Sequence, residues 1–187
     1  MAMRLPTAEP EKLYTVEEFE KLPEFWERYE LIDGKVRAKP VANFEHGNIS
    51  SNLVFFYRLF DPNREIGVML SGEITVKIGP KDSPIPDVSF WTKSRIPPKT
   101  PGAAPRPDIA VEVWLPKDLK NPGDARRKVA CYLDAGVLIV WVINPKLKGV
   151  EVHRPGQTGP ELLDSTGELS GENVIPGFRM PVRKLFE

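Results

Sequence analysis

Three residues in this chain have the types and spacing of a metal-dependent phosphodiesterase site. Asp87 follows Pro86, Glu112 interrupts the apolar run Ile109-Ala110-Val111-Glu112-Val113-Trp114, and Lys128 lies sixteen residues further on. A strand buried on both faces reads as a continuous apolar run. A glutamate in its middle must be paired, protonated or bound to a cation, because an isolated buried carboxylate costs several kcal/mol or more. If the strands carrying Asp87 and Glu112 pair antiparallel, their ends lie side by side and both carboxylates can share one divalent cation. Hard oxygen donors suit Mg²⁺ or Mn²⁺, with the backbone carbonyl of Val113 as a further ligand. Such a cation lowers the pKa of an attacking water and neutralises charge on a scissile phosphate. Lys128 would hold or deprotonate that water, or stabilise the pentacovalent phosphate. Tyr132 follows it by one helical turn on the same face.

Each residue also has a plainer reading. Pro-Asp pairs are ordinary turn chemistry. Glu112 can be explained by a salt bridge to a buried lysine or arginine, which is itself compatible with a site. Arg126, Arg127 and Lys128 together read as a solvated helix face, and spacing does not choose between Arg127 and Lys128. Glu30, on the first hairpin strand, and His46, at a helix start, are accessory candidates; a histidine near the carboxylates could orient a phosphate or a water. Asp108 competes with Asp87, but four residues along a strand span about 13 Å. That is too far to share a cation with Glu112, so Asp108 reads as a strand-start residue.

Other chemistries lack their signatures. There is no glycine-rich phosphate loop, no Gly-x-Ser-x-Gly elbow and no Cys/His cluster. One cysteine, Cys131, excludes an internal disulfide and points to a reducing, cytoplasmic setting. With His46 and His153 as the only histidines, structural zinc is not expected. Lys plus Arg equals Asp plus Glu, at 26 each, so no basic excess marks a nonspecific nucleic-acid binder. No run is long and apolar enough for a membrane span, and the N-terminus lacks a signal-peptide pattern. Residues 1–13 read as a flexible arm and residues 14–187 as one domain.

The elements that must position these residues follow from periodicity and punctuation. Thr15 with Glu18 forms a capping box ahead of a short helix. Asp33-Gly34 is a type I′ turn signal between short strands over 29–38. Ile49, Leu53, Phe56, Leu59 and Phe60 at helical spacing place a helix over 44–60, with Asn43 as its cap. Strands are expected over 68–78, 83–91 and 108–115, and a proline-rich loop over 94–107. A helix over 123–135 is stopped by Gly136 and followed by an uncharged buried strand, 137–143. A hairpin over 149–163 and a turn at 175–178 close the chain. This order argues an α/β fold with a mixed sheet flanked by helices and extra hairpins at both ends.

The stretch Tyr29-Glu30-Leu31-Ile32-Asp33-Gly34-Lys35-Val36, then His46, Pro86-Asp87-Val88, Asp108 to Val113, Lys128 with Tyr132, Gly136-Val137, Trp141 to Pro145 and Val174 to Phe178 resembles the Uma family of restriction-endonuclease-like proteins. The resemblance covers residues 14–187 and lies in the order and spacing of the motifs. It implies membership of the PD-(D/E)XK nuclease-like superfamily and a restriction-endonuclease-like fold. It also implies Asp87 and Glu112 as metal ligands, with Glu30 as an additional acidic residue. The usual superfamily lysine stands two residues after the glutamate, where this chain has Trp114. The family's lysine lies on the following helix, which selects Lys128 over Arg127. Relatives commonly continue Glu-Val-Leu-Ser-Pro, whereas this chain reads Glu112-Val113-Trp114-Leu115-Pro116.

The expectation is a Mg²⁺- or Mn²⁺-dependent endonuclease acting on DNA, working as a homodimer because cutting both strands calls for two sites about a two-fold axis. The alternative from another class is a catalytically silent nucleic-acid-binding or assembly module of the same fold. A two-carboxylate glycosidase fits less well, given the lysine and the lack of a sugar-stacking aromatic series.

Overall fold

The alternating and apolar runs of the sequence become a six-stranded mixed sheet with helices on both faces in the computed structural model, which describes residues 8–9, 11–72, 74–98, 101–120 and 122–187. Most of the arm expected over residues 1–13 lies outside the described residues. Within its described part, Ala8 N–H donates to Glu24 Oε1 and Glu9 N–H to the Tyr14 hydroxyl.

Helix α1 (Val16–Phe19) starts at the expected capping box: Thr15 Oγ1 accepts from Glu18 N–H, and Glu18 Oε2 accepts from Thr15 N–H. Strands β1 (Tyr29–Ile32) and β2 (Lys35–Ala38) form the first hairpin. Its turn residues Asp33 and Gly34 have φ of 52° and 77°, the two positive angles a type I′ turn requires. Helix α2 (Phe44–Phe60) begins where Asn43 Oδ1 accepts from His46 N–H at 2.9 Å.

The strands β3 (Gly67–Ser71), β4 (Val76–Lys77), β5 (Val88–Thr92), β6 (Ala104–Pro105) and β7 (Ile109–Val113) follow. Helices α3 (Pro116–Lys120) and α4 (Pro122–Asp134) cross over to β8 (Ile139–Asn144). Strands β9 (Gly149–His153), β10 (Glu161–Leu163), β11 (Glu168–Ser170) and β12 (Arg179–Pro181) complete the chain. The main sheet has the order β10-β9-β8-β7-β5-β3. Only β7 and β8 run parallel within it, joined by the α3–α4 crossover that parallel neighbours need.

Alternation along β7 sorts its residues between two cores. Ile109, Val111 and Val113 pack with Ile49, Leu53 and Tyr57 of α2 and with the C-terminal segment. Ala110 and Trp114 pack with Val129 and Tyr132 of α4. Glu112 therefore faces α4, on the same side as Trp114.

The structure corrects several sequence expectations. The strand expected over 68–78 is broken, because Gly72 at φ 105° ends β3 and the chain resumes as β4. The strand expected from 83 shortens to Val88–Thr92, since Pro84 and Pro86 have no N–H to give a ladder. Before β5, Ser83 makes only a bridge to Leu31. A helix, α3, occupies residues directly after β7 where none was expected. Of the residues whose helical spacing placed α2, Ile49 and Leu53 are buried, whereas Leu59 is 62% exposed. Gly136, at φ 82°, ends α4 as expected.

Candidate active site

Antiparallel pairing of β5 with β7 sets Val88 opposite Val111, and Asp87 N–H donates to Val111 O at 3.0 Å. Asp87 thus stands at the first rung beside the C-terminal end of β7. Val113 N–H donates to Asp87 Oδ2 at 2.7 Å, while Trp114 N–H turns the other way, to Ile143 O of β8. The N–H and C=O of one strand residue face the same edge. The Val113 carbonyl therefore faces the Asp87 edge, beyond the start of β5. Asp87 and Glu112, 8% and 9% exposed, line one cleft with Val113, Glu30, Lys39, His46 and Lys128.

Helix α4 lays Lys128 and Tyr132, one turn apart, over Glu112. Tyr132 O–H donates to Glu112 Oε1 at 2.8 Å, and Lys128 Nζ lies 3.0 Å from the same oxygen. Lys128 Nζ also reaches Glu30 Oε2 at 2.8 Å and donates to Ile85 O at 3.1 Å. Arg127, the rival by spacing, points outward and pairs with Asp33 at the hairpin turn. Trp114, at the usual lysine position, packs under α4 with the Arg126 guanidinium 4.5 Å over its ring. The Lys128 ammonium reaches Glu112 from the facing helix, on the side where a lysine at position 114 would also emerge.

Asp87 is surrounded. Its Oδ1 accepts from Lys39 Nζ at 2.7 Å, and its Oδ2 lies 2.9 Å from His46 Nε2, placed there by the start of α2. Lys39 is the residue that the sequence reading missed. Its signal was in the hairpin register: Arg37 pairs with Glu30 across β1 and β2, so Lys39, two residues on, shares Glu30's face.

The charges divide into distinct roles. Burial pushes the Glu112 carboxyl up, to about 7, with Lys128 opposing the rise and Asp87 adding to it. Burial would raise Asp87 too, but the Lys39 charge and the His46 contact outweigh it and hold Asp87 well below the usual carboxylate range. Glu30 is likewise raised by burial and brought below its ordinary value by Lys128. Burial disfavours the Lys128 ammonium, yet Glu112, Glu30 and Asp87 prevail and keep it protonated well above neutrality. Burial and the Glu112 charge raise the Tyr132 hydroxyl well above its ordinary value, so it stays a donor.

The donor set fits a hard divalent cation. Asp87, Glu112 and the Val113 carbonyl offer oxygens at the adjoining ends of two strands, in a cleft open to solvent. A second approach of possible ligands brings Asp33, Asp82 and Cys131 within 4.8 Å of one another. Both Asp33 oxygens are held by Arg127, and Asp82 Oδ1 accepts from Asp33 N–H at 2.7 Å. Burial and Asp82 push the Cys131 thiol up to about 11, so it is no thiolate at neutral pH.

Behind the site, Arg126 grips Glu151 of β9 through both terminal guanidinium nitrogens, and His153 Nε2 lies 2.9 Å from Glu151 Oε2. Burial raises Glu151, but His153 and Arg126 outweigh it and lower the carboxyl to about 2. A depressed folded pKa contributes stability above the unfolded value and loses it as pH falls through the folded one. Glu151→Gln is expected to cost about 1–2 kcal/mol at pH 7, allowing for Arg126's exposure. Denaturant unfolding as pH falls from 4.5 to about 2 should show this gap close.

Among the described residues, no helix is long and apolar enough to cross a membrane. No curated protein matches the chain. A protein from Anabaena variabilis, described as "a putative nuclease belonging to DUF820", has a similar crystal structure, with a TM-score of 0.77 and 28% identity. The match covers 92% of this chain and 97% of that one. The family model Uma2, described as "Putative restriction endonuclease", matches residues 16–183, and the chain belongs to that family.

Proposed function

We propose that the protein is a metal-dependent endonuclease that hydrolyses DNA phosphodiester bonds. The observation that carries this reading is the meeting of Asp87, Glu112 and a charged, buried Lys128 at the ends of β5 and β7. Asp87, Glu112 and the Val113 carbonyl would hold Mg²⁺ or Mn²⁺. When bound, the ion supplies a Lewis acid that lowers the pKa of a water and offsets charge on the phosphate. Lys128, kept protonated by its carboxylates, acts as a donor and charge rather than as a base, and steadies the attacking water or the phosphoryl oxygens. Tyr132 fixes the Glu112 carboxylate, Glu30 fixes Lys128, and His46 fixes Asp87. Residues 14–187 form the working unit, and two copies about a two-fold axis, in the cytoplasm, would address both strands.

A second cleft shares His46, Trp114 and Leu115 with the first and is also lined by Leu119, Pro145, Lys120 and Lys146. The exposed Lys120 and Lys146 suit the phosphates flanking the scissile one. Lys120→Ala with Lys146→Ala should weaken DNA binding alike across sequences and flatten the log–log salt slope by roughly 2. Fluorescence anisotropy over a salt series checks this.

The full set of partners already on Asp87 favours a second reading, a nucleic-acid-binding module without catalysis. Plasmid nicking with Mg²⁺ or Mn²⁺, comparing wild type with Glu112→Gln, separates the two. Nicking that Glu112→Gln abolishes supports the endonuclease; DNA binding without nicking supports the module.

A further inference from the structure

The Lys39 ammonium is enclosed by the site, with its side chain 10% exposed, 2.7 Å from Asp87 Oδ1 and 2.5 Å from Ile85 O. The other Asp87 oxygen is taken by His46 and by Val113 N–H. Oδ1 is thus the oxygen left for a cation, and Lys39 already holds it. Lys128 Nζ shares the Ile85 carbonyl, at 3.1 Å, so the ammonium groups of Lys39 and Lys128 meet at one acceptor. Charges of one sign this close repel each other. A divalent ion on Asp87 would meet Lys39 at contact distance.

We propose that Lys39 is the resident counter-ion of the metal position, which a divalent cation must displace from Asp87 before it binds. The inference rests on the metal reading above and names the residue that sets the ion's affinity. In the metal-free protein Lys39 compensates a buried carboxylate; in the loaded protein it gives up that contact. The binding constant measures the difference.

The test is Mn²⁺ alone, titrated calorimetrically into wild type, Lys39→Met and Arg37→Met. Arg37 lines the same cleft but pairs with Asp124 at 2.8 Å, so it controls for the mere loss of a nearby charge. Lys39→Met should bind Mn²⁺ about tenfold tighter or more, and Arg37→Met should stay within about threefold of wild type. Without metal, Lys39→Met should unfold at a lower temperature, and saturating Mn²⁺ should remove that deficit. Lys39→Gln, which can still donate to Asp87, carries the same comparison where the Met variant does not fold. Equal or weaker Mn²⁺ binding by a folded Lys39 variant, with wild type binding, overturns the role of Lys39 and leaves the metal site standing. Equal tightening by Arg37→Met also overturns it. Folded proteins that all fail to bind Mn²⁺ overturn the metal site and the role of Lys39 together.

Discussion

Glu112→Gln is expected to reduce Mg²⁺-dependent nicking by about a thousandfold while leaving stability within about 1 kcal/mol of wild type. The two halves of this result have separate causes. Glutamine keeps the volume and can still accept from Tyr132, so the packing between β7 and α4 survives. Lys128 keeps Glu30 and the Ile85 carbonyl, so its charge stays compensated. Burial has already pushed the Glu112 carboxyl up, so a neutral side chain is no hardship to the fold. What the substitution removes is an anionic oxygen donor for a hard cation, which an amide replaces poorly. Nicking assays with thermal unfolding on the same samples check both halves. Nicking at the wild-type rate by the folded variant would exclude Glu112 as a ligand.

That separation explains why Glu112 was legible in the sequence. A carboxylate inside an apolar strand contradicts the local pattern, and such contradictions concentrate at functional sites. Asp87 was legible only through Glu112, because Pro-Asp is common turn chemistry and its meaning comes from the β5–β7 register. Arg127 and Lys128 could not be told apart by spacing, since a one-residue difference on a helix is a rotation of about 100° whose sense depends on how α4 docks. The structure resolves them: Lys128 is buried against Glu112 and Arg127 is at the surface with Asp33. Lys39 lay furthest from view. Its contact with Asp87 joins residues 48 apart and depends on the first hairpin folding over the start of β5. The end of β3 was hidden because the alternation at residues 74–78 gives no sign of the backbone turn at Gly72 before them.

Lys128→Met is expected to destabilise the protein by about 3–5 kcal/mol, the cost of leaving buried carboxylates without their cation. For a chain of 187 residues that is a fall of about 10 °C in Tm. Glu30 and Glu112 both lose their nearest positive charge, and the Lys39 charge, which also favours both carboxylates, is already engaged by Asp87 and Ile85. The carboxylates should respond by taking up protons, so the deficit should shrink as pH is lowered toward 5. Adding Glu30→Gln removes one of the stranded charges and should recover about half of the lost stability, but no nicking activity. Surface ion pairs do not behave this way: Arg127→Met, which breaks only the exposed pair with Asp33, should cost far less than Lys128→Met. Denaturant unfolding of the single and double variants checks the series. A loss at Lys128 no larger than that at Arg127 would mean that Lys128 is a surface cation, and the electrostatic frame of the site would have to be redrawn around Lys39.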